Sequence, residues 1–312
     1  MKQYFCDFFE EFQLSKSDDE RLYLSYVVAC VLNALLSSTT VVLNAITIQA
    51  LRKTSLLQKP LKTLLLSLAV SDLGSGLLCQ PFTVALCAKW LQQNNPNVNC
   101  TAYTVFAIIL TLFSFASFFG VMLISVDRFM AIYLHLRYQE LVTYNRVVVV
   151  VISVWIFSAF LSLITTCIPA NIILVVFAVI GILCMVPTAV VNYKIYVAVR
   201  RHRNQIHALQ VQPAGQNSEM TDLLSVKKSA HGTFYVYVVS LLCFLPHACS
   251  CFAMTMSGEN TIVEQAVKGL TIYTSSAVFL NSSLNPIIYC WKMRHIRHAI
   301  IDLLQNTFTR RS

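Results

Sequence analysis

Seven stretches of this chain stay apolar for long enough to cross a bilayer, and polar positions inside them are few. They lie near residues 23–50, 61–87, 103–126, 147–168, 171–198, 232–256 and 267–290. A span needs about 20 apolar residues. Apolar and polar positions do not alternate at period two within them, so the pattern predicts helices and not the short dyad strands of a barrel. The expected fold class is an all-α membrane protein, a seven-transmembrane helix bundle. Residues 1–22 precede it as an acid-rich extracellular segment, 23–290 are the bundle, and 291–312 are a cytoplasmic tail. That tail opens with Trp291-Lys292-Met293-Arg294-His295-Ile296-Arg297, whose mixed apolar and basic positions predict a short amphipathic helix on the inner leaflet.

The breaks in the pattern carry more information than the pattern. Asp72, in Leu68-Ala69-Val70-Ser71-Asp72-Leu73, is the one carboxylate deep in a span. Such a group costs about 2.5–3.5 kcal/mol on insertion, so it is expected to be buried against polar partners and to have a function. The third stretch ends in Asp127-Arg128-Phe129. Alone, that pair is equally well a stop-transfer charge cluster, cheap where a helix meets water. Asn44 and Trp155 have bland readings too, as an amide bonded to a neighbouring backbone and as a bulky packing residue. The sixth stretch carries Cys243-Phe244-Leu245-Pro246-His247, where a proline frees a carbonyl and bends the helix, a natural hinge. The seventh carries Asn281-Ser282-Ser283-Leu284-Asn285-Pro286-Ile287-Ile288-Tyr289, too polar for packing alone.

Composition agrees with a membrane class: 56% hydrophobic residues, 12% charged and a mean hydropathy of +0.64, against about 25% charged in soluble domains. Placing the N-terminus outside leaves only Lys2, Lys16, Arg21, Lys89 and Lys268 there, and the other 18 of the 23 Lys and Arg inside. That bias predicts a multi-pass plasma-membrane protein with an extracellular N-terminus. The net charge of +9 then belongs to a cytoplasmic face toward anionic lipid and partners, not to nucleic-acid binding. The start of the chain lacks the pattern of a cleavable signal. No CxxC pair or His/Cys cluster suggests a metal centre among the 11 cysteines. Cys100 and Cys167 fall at outer ends of spans and are the candidates for a disulfide, which spacing alone does not establish. Asn99-Cys100-Thr101 is an outer sequon and a candidate for glycosylation.

In order along the chain, Asn44, Asp72, Asp127-Arg128-Phe129, Trp155, Phe244-Leu245-Pro246 and Asn285-Pro286-Ile287-Ile288-Tyr289 resemble the marks of the rhodopsin-like (class A) G-protein-coupled receptors. The segment Leu136-Arg137-Tyr138-Gln139-Glu140-Leu141-Val142-Thr143 is most similar to adenosine receptors, with melanocortin receptors next. The short connection around Cys167-Ile168-Pro169-Ala170-Asn171 is instead similar to melanocortin, cannabinoid and lysolipid receptors. The resemblance implies a non-enzymatic receptor with a heterotrimeric G protein as partner and a small extracellular or membrane-borne ligand. It implies a coupling switch of Asp127, Arg128, Phe129, Tyr193 and Tyr289, in which Arg128 leaves Asp127 for Tyr289 and Tyr193 as span six pivots at Pro246, with Pro286 a second hinge. It implies a resting-state sodium ion, the only cofactor, at Asp72, Ser117, Asn281, Ser282 and Asn285.

It also implies a ligand pocket lined by Leu110, Thr111, Ser114, Phe244, His247, Cys251, Ser275 and Phe279. Leu110 stands where amine receptors carry an Asp, and Phe279 where opsins carry the retinal Lys. Cys251 and Phe279 replace the Asn and His of adenosine receptors, and Phe82 and Ala107 fall where melanocortin receptors carry acids. The remaining lining suits a small, mostly apolar or lipid-like ligand, with His247 either a ligand contact or a satisfied interior histidine. Phe129 departs from the usual Tyr, Phe244 from the usual Trp and His135 from a common Pro, and Val226 stands where some members of that family carry a Glu that pairs with the switch Arg. These departures predict a weaker resting lock and raised basal activity. Pro187 sits closer to Tyr193 than the family spacing. Rival classes fit less well: a pump needs a chain of intramembrane carboxylates, an intramembrane hydrolase a catalytic set, and a transporter repeated halves. A receptor or scaffold without G-protein coupling is the remaining alternative.

Overall fold

The computed structural model describes residues 12, 20–55, 57–92, 100–134, 137–209, 217–256 and 261–309, with the backbone alone for 170–171, 199, 201–209, 217–231, 261, 304 and 306–309. Asn99 and His135 lie outside the described residues, as does the side chain of Val226. The long apolar stretches fold as α1 (Glu20–Lys53), α2 (Lys59–Leu91), α3 (Cys100–Tyr133), α4 (Tyr144–Ile164), α5 (Ala170–Leu209), α6 (Asn217–Met256) and α7 (Thr261–Lys292). A single helical turn, Tyr138–Leu141, follows α3, and the expected amphipathic helix is α8 (Arg294–Thr309). No strand occurs among the described residues.

Six of these helices, α1 to α6, contain an apolar stretch long enough to cross a membrane. α7 is as long, at 32 residues, but Glu264, Lys268 and the polar run from Asn281 to Asn285 dilute it. It tolerates them because α1, α2 and α6 all pack against it. α4 ends at Ile164, short of the expected 168, because Thr165–Pro169 make the tight turn into α5. That turn fixes Cys167 in place through its N–H bond to Ile164 O. The expected Cys100–Cys167 disulfide is not formed: Cys167 is a free, exposed thiol, while Cys100 is disulfide-bonded elsewhere.

Local chemistry shapes two helices. In α2, a wide turn at Ser75–Cys79 precedes Gln80-Pro81. Proline has no N–H and its ring would meet the carbonyl four residues back, which the wider turn relieves. Just before it, Gly74 lets α3 approach, since any Cβ there would collide with the Phe113 ring. Pro187, Pro246 and Pro286 all sit inside continuous helices.

Polar side chains join α1 to α7. Asn33 Nδ2 donates to Ser276 Oγ at 2.9 Å, Thr40 and Ser283 hydroxyls meet at 2.5 Å, and Asn44 Nδ2 donates to Ser282 O at 3.0 Å. Residues 33, 40 and 44 recur at helical spacing on one face, so each amide or hydroxyl finds a partner where lipid offers none. Trp155 is more than filler: its Nε1 donates to Ser67 Oγ at 3.0 Å, tying α4 to α2. Two apolar cores result. One, at the end where α1 starts, gathers Tyr26, Trp90, Tyr103, Phe106 and Ile173. The other, at the α8 end, gathers Leu65, Leu68, Ile124, Tyr237, Tyr289 and Ile296.

Candidate functional site

Three groups of side chains line up along the bundle axis. At the α8 end, the last turns of α3 hold Asp127 and Arg128, 3% and 2% exposed. Arg128 donates to Asp127 Oδ2 from Nε at 2.9 Å and from Nη2 at 2.5 Å. Tyr138, from the single-turn helix, donates its hydroxyl to Asp127 Oδ1 at 2.8 Å. Both carboxylate oxygens are therefore satisfied, which is what lets an ion pair sit out of water. Burial, and next the Asp127 charge, holds the Tyr138 phenol above its ordinary pKa, so it stays a donor. Phe129 turns away from this group and packs on Tyr133, ring centres 4.4 Å apart. Tyr193 points outward from α5 at 67% exposure, and Tyr289 on α7 is buried with no partner for its hydroxyl.

In mid-bundle, Asp72 is fully buried on α2. Ser117 Oγ from α3 donates to its Oδ1 at 2.9 Å and Asn285 Nδ2 from α7 to its Oδ2 at 2.8 Å, with the Ser282 hydroxyl against the same carboxylate. Asn281, expected in this group, faces α6 instead, where its Oδ1 accepts from Ser240 Oγ at 3.0 Å. Asn281 and Ser282 point about 100° apart with Asn285 between them, and in this packing the Ser240 hydroxyl holds Asn281 on the α6 side. One carboxylate, two hydroxyl oxygens and Asn285 Oδ1, buried without a partner, make an all-oxygen set suited to a small hard cation. Among the described residues no group of three or more His, Cys, Asp or Glu is placed to hold a metal ion.

Toward the end where α1 starts, a cavity of about 300 Å³ opens between α1, α2, α3, α5, α6 and α7. All eight residues expected to line a pocket, Leu110, Thr111, Ser114, Phe244, His247, Cys251, Ser275 and Phe279, line this one. No described lining residue is charged. His247 is held as well as exposed to the cavity: its Nδ1 lies 3.3 Å from Thr274 Oγ1, and Cys251 Sγ 3.7 Å from its Nε2. Phe244 meets Phe118 edge to face at 5.5 Å, a contact that links the cavity to the α3 face carrying Val121 and Ser125.

Sequence reasoning missed several residues of these groups. Asn33 lines the cavity, fully buried, with its Oδ1 unpaired. An amide in an apolar run, 11 residues before Asn44 and on the same face, was the available signal. Phe12, from the segment before α1, also lines the cavity and stacks on Trp90 at 5.8 Å, which nothing in the sequence pattern suggests. Tyr138 carried no signal beyond being an aromatic residue in a polar loop.

A family model described as 7 transmembrane receptor (rhodopsin family) matches residues 43–289. The chain is similar to adenosine receptor A2b of Mus musculus, 23% identical over 308 residues and covering 88% of each chain. It is similar to probable G-protein coupled receptor 45 of Homo sapiens, 26% identical over 296 residues, 81% of this chain and 75% of that one. It is likewise similar to the high-affinity lysophosphatidic acid receptor of Xenopus laevis, 25% identical over 303 residues, 85% and 78% of the two chains. The family model takes in the Asp127–Arg128 pair, the Asp72 group and most of the cavity lining, from the last third of α1 to near the end of α7. The chain is therefore a multi-pass membrane receptor and not an enzyme, and it belongs to the rhodopsin family of seven-transmembrane receptors.

Proposed function

We propose that this chain is a G-protein-coupled receptor in the plasma membrane, N-terminus outside, that answers a small, uncharged, mostly apolar ligand. The observation that carries this reading is the uncharged cavity at one end of a bundle whose other end holds a buried, releasable ion pair. A lysophosphatidic acid headgroup would bring phosphate into a cavity with no described cation, and burying an unpaired charge is costly. The adenosine-like loop does not bring a purine site either, because Cys251 and Phe279 offer neither of the side chains that would hold one.

In the resting arrangement Arg128 belongs to Asp127 and Tyr138, and the Tyr289 hydroxyl has no partner. An unsatisfied buried donor costs about 1–3 kcal/mol. A shift of α6 that let Arg128 reach Tyr289 would exchange one satisfied group for another and open the α8 end to a G protein. Ligand that packs better against Phe244 in the shifted state draws the equilibrium that way, and G protein raises ligand affinity by the same factor. We assign Asp72, Ser117, Ser282 and Asn285 as holding sodium in the resting state, where its charge offsets that of Asp72.

The test is G-protein nucleotide exchange in membranes carrying this chain, beside Arg128→Ala and Asp72→Asn at matched surface expression. Basal exchange above mock membranes that Arg128→Ala abolishes is the expected result. Silence of all three through a broad panel of apolar ligands would replace this reading with a non-coupling receptor.

A further inference from the structure

The cavity is closed on one side and open on another. Toward the end where α1 starts, Phe12 is buried, its ring on Trp90 and its carbonyl accepting from the Tyr26 hydroxyl. Tyr26 stands edge-on to the same indole at 5.7 Å, and Trp90 Nε1 reaches Tyr103 Oη at 3.3 Å. This aromatic cluster covers the cavity over α1, α2 and α3.

The α5–α6 side is built the other way. Gly181 lines the cavity, and a Cβ there would meet no atom within 4 Å. Beside it Ile182, and across from it on α6 Leu245, also line the cavity, yet they are 55% and 45% exposed. Residues that touch the cavity and the outer surface at once mark a rim. One turn further along α5 the seam is shut, where Tyr237 Oη donates to Met185 O at 2.9 Å and, beyond, Tyr196 stacks on Phe234 at 5.6 Å. Gly181 stands nine residues into the span that starts at Ile172, about 14 Å along the helix, which is acyl-chain depth.

We propose that the ligand is an uncharged lipophilic molecule dissolved in the bilayer, and that it enters the cavity sideways between α5 and α6 at Gly181. This rests on the cavity being the ligand site. A molecule on this route never passes the Phe12–Trp90 cover, and it is already desolvated when it meets the apolar lining. A charged molecule is excluded twice, by the acyl chains and by the lack of a counter-charge inside. The missing side chain at 181 is the opening itself. A leucine there would start from a Cβ that meets no atom within 4 Å, so it would narrow the gap, and it would favour the helix.

The experiment uses the full chain, Gly181→Leu and Phe12→Ala in phosphatidylcholine vesicles. The probe is hexadecanol with a terminal diazirine, delivered from donor vesicles, photolysed at intervals and mapped by mass spectrometry. The carbene inserts into any side chain, so no reactive residue is needed. Adducts on Phe118, Phe177 and Phe279 are expected to form several-fold more slowly in Gly181→Leu and unchanged in Phe12→Ala. Adducts on outward-facing Phe160 of α4 should form equally in all three, which shows that each variant is folded and sees the probe. Cavity adducts at the native rate in Gly181→Leu, or faster in Phe12→Ala, would overturn the side entrance while leaving the cavity as the ligand site. Labelling of Phe160 with no cavity adducts in any of the three would overturn the apolar-ligand reading, and the entrance with it.

Discussion

α2 and α5 are both long apolar helices, and they are held in opposite ways. Of the most apolar stretch of each, 56% is buried in α2 and 11% in α5. α2 meets its neighbours through side chains that name their partners: Asp72 with Ser117 and Asn285, Ser67 with Trp155, and Gly74 against Phe113. The polar side chains of α5 bond back to its own helix, Thr188 to Cys184 O and Asn192 to Thr188 O. Among the described residues, the hydrogen bonds its neighbours make to it reach its backbone, Tyr237 at Met185 O and Tyr133 at Lys194 O. Side chain to side chain bonds fix position and rotation. A tyrosine on a backbone carbonyl specifies far less, because every turn offers another carbonyl. α1, α2, α3 and α7, with α6 bonded to α7 through Ser240 and Asn281, therefore form the frame, and the seam between α5 and α6 is where ligand and partner would act at low cost.

If that division holds, the largest effect should come from the ion pair on the frame. Asp127→Ala leaves Arg128 buried beside Tyr138 alone, a loss of about 3–5 kcal/mol. Purified in detergent it should melt well below the native chain and show raised basal nucleotide exchange; an unchanged Tm would mean that water already reaches the pair. Tyr138→Phe removes one hydrogen bond to a carboxylate, about 1.5–3 kcal/mol, and should raise basal exchange less than Asp127→Ala does. The finest test sets Thr40→Val, which cuts the contact to Ser283, against Leu183→Ala on the outer face of α5, where Leu183 is 67% exposed. Thermal denaturation should show a cost of about 0.6 kcal/mol for the first and less than about 0.5 for the second. The reverse order would erase the distinction between frame and seam.

Much of this was legible in the chain because polar residues are so rare within it. A carboxylate in an apolar run needs partners, and it was the resemblance to the rhodopsin-like receptors, carried by the ordered motifs, that grouped Asp72 with Ser117 and Asn285. The eight pocket residues, too, were placed by the resemblance and not by the pattern of the chain itself. Rotation was harder to read. Asn281 and Ser282 differ by one position, and only packing decides that the first turns to Ser240 and the second to Asp72. Pairing across long separations was harder still: Asn33 meets Ser276 at 243 residues' distance, and nothing local marks either as the other's partner. The expected Cys100–Cys167 bond failed for the same reason, since two ends on the same side of a membrane need not adjoin. Tyr138 stayed hidden because its role depends on a one-turn helix swinging it under α3.

The last helix gives the receptor a sense of what it floats on. Ile296, Ile300 and Leu303 of α8 belong to the same apolar core as Tyr289, while Arg294 and His298 face outward. A basic residue at an anionic bilayer surface gains about 1 kcal/mol, and salt or lipid composition changes that gain. Because α8 and the end of α7 share one packed core, the pull is not confined to the surface. With α8 on the inner leaflet, a change in headgroup mixture would act through that core on where Tyr289 sits.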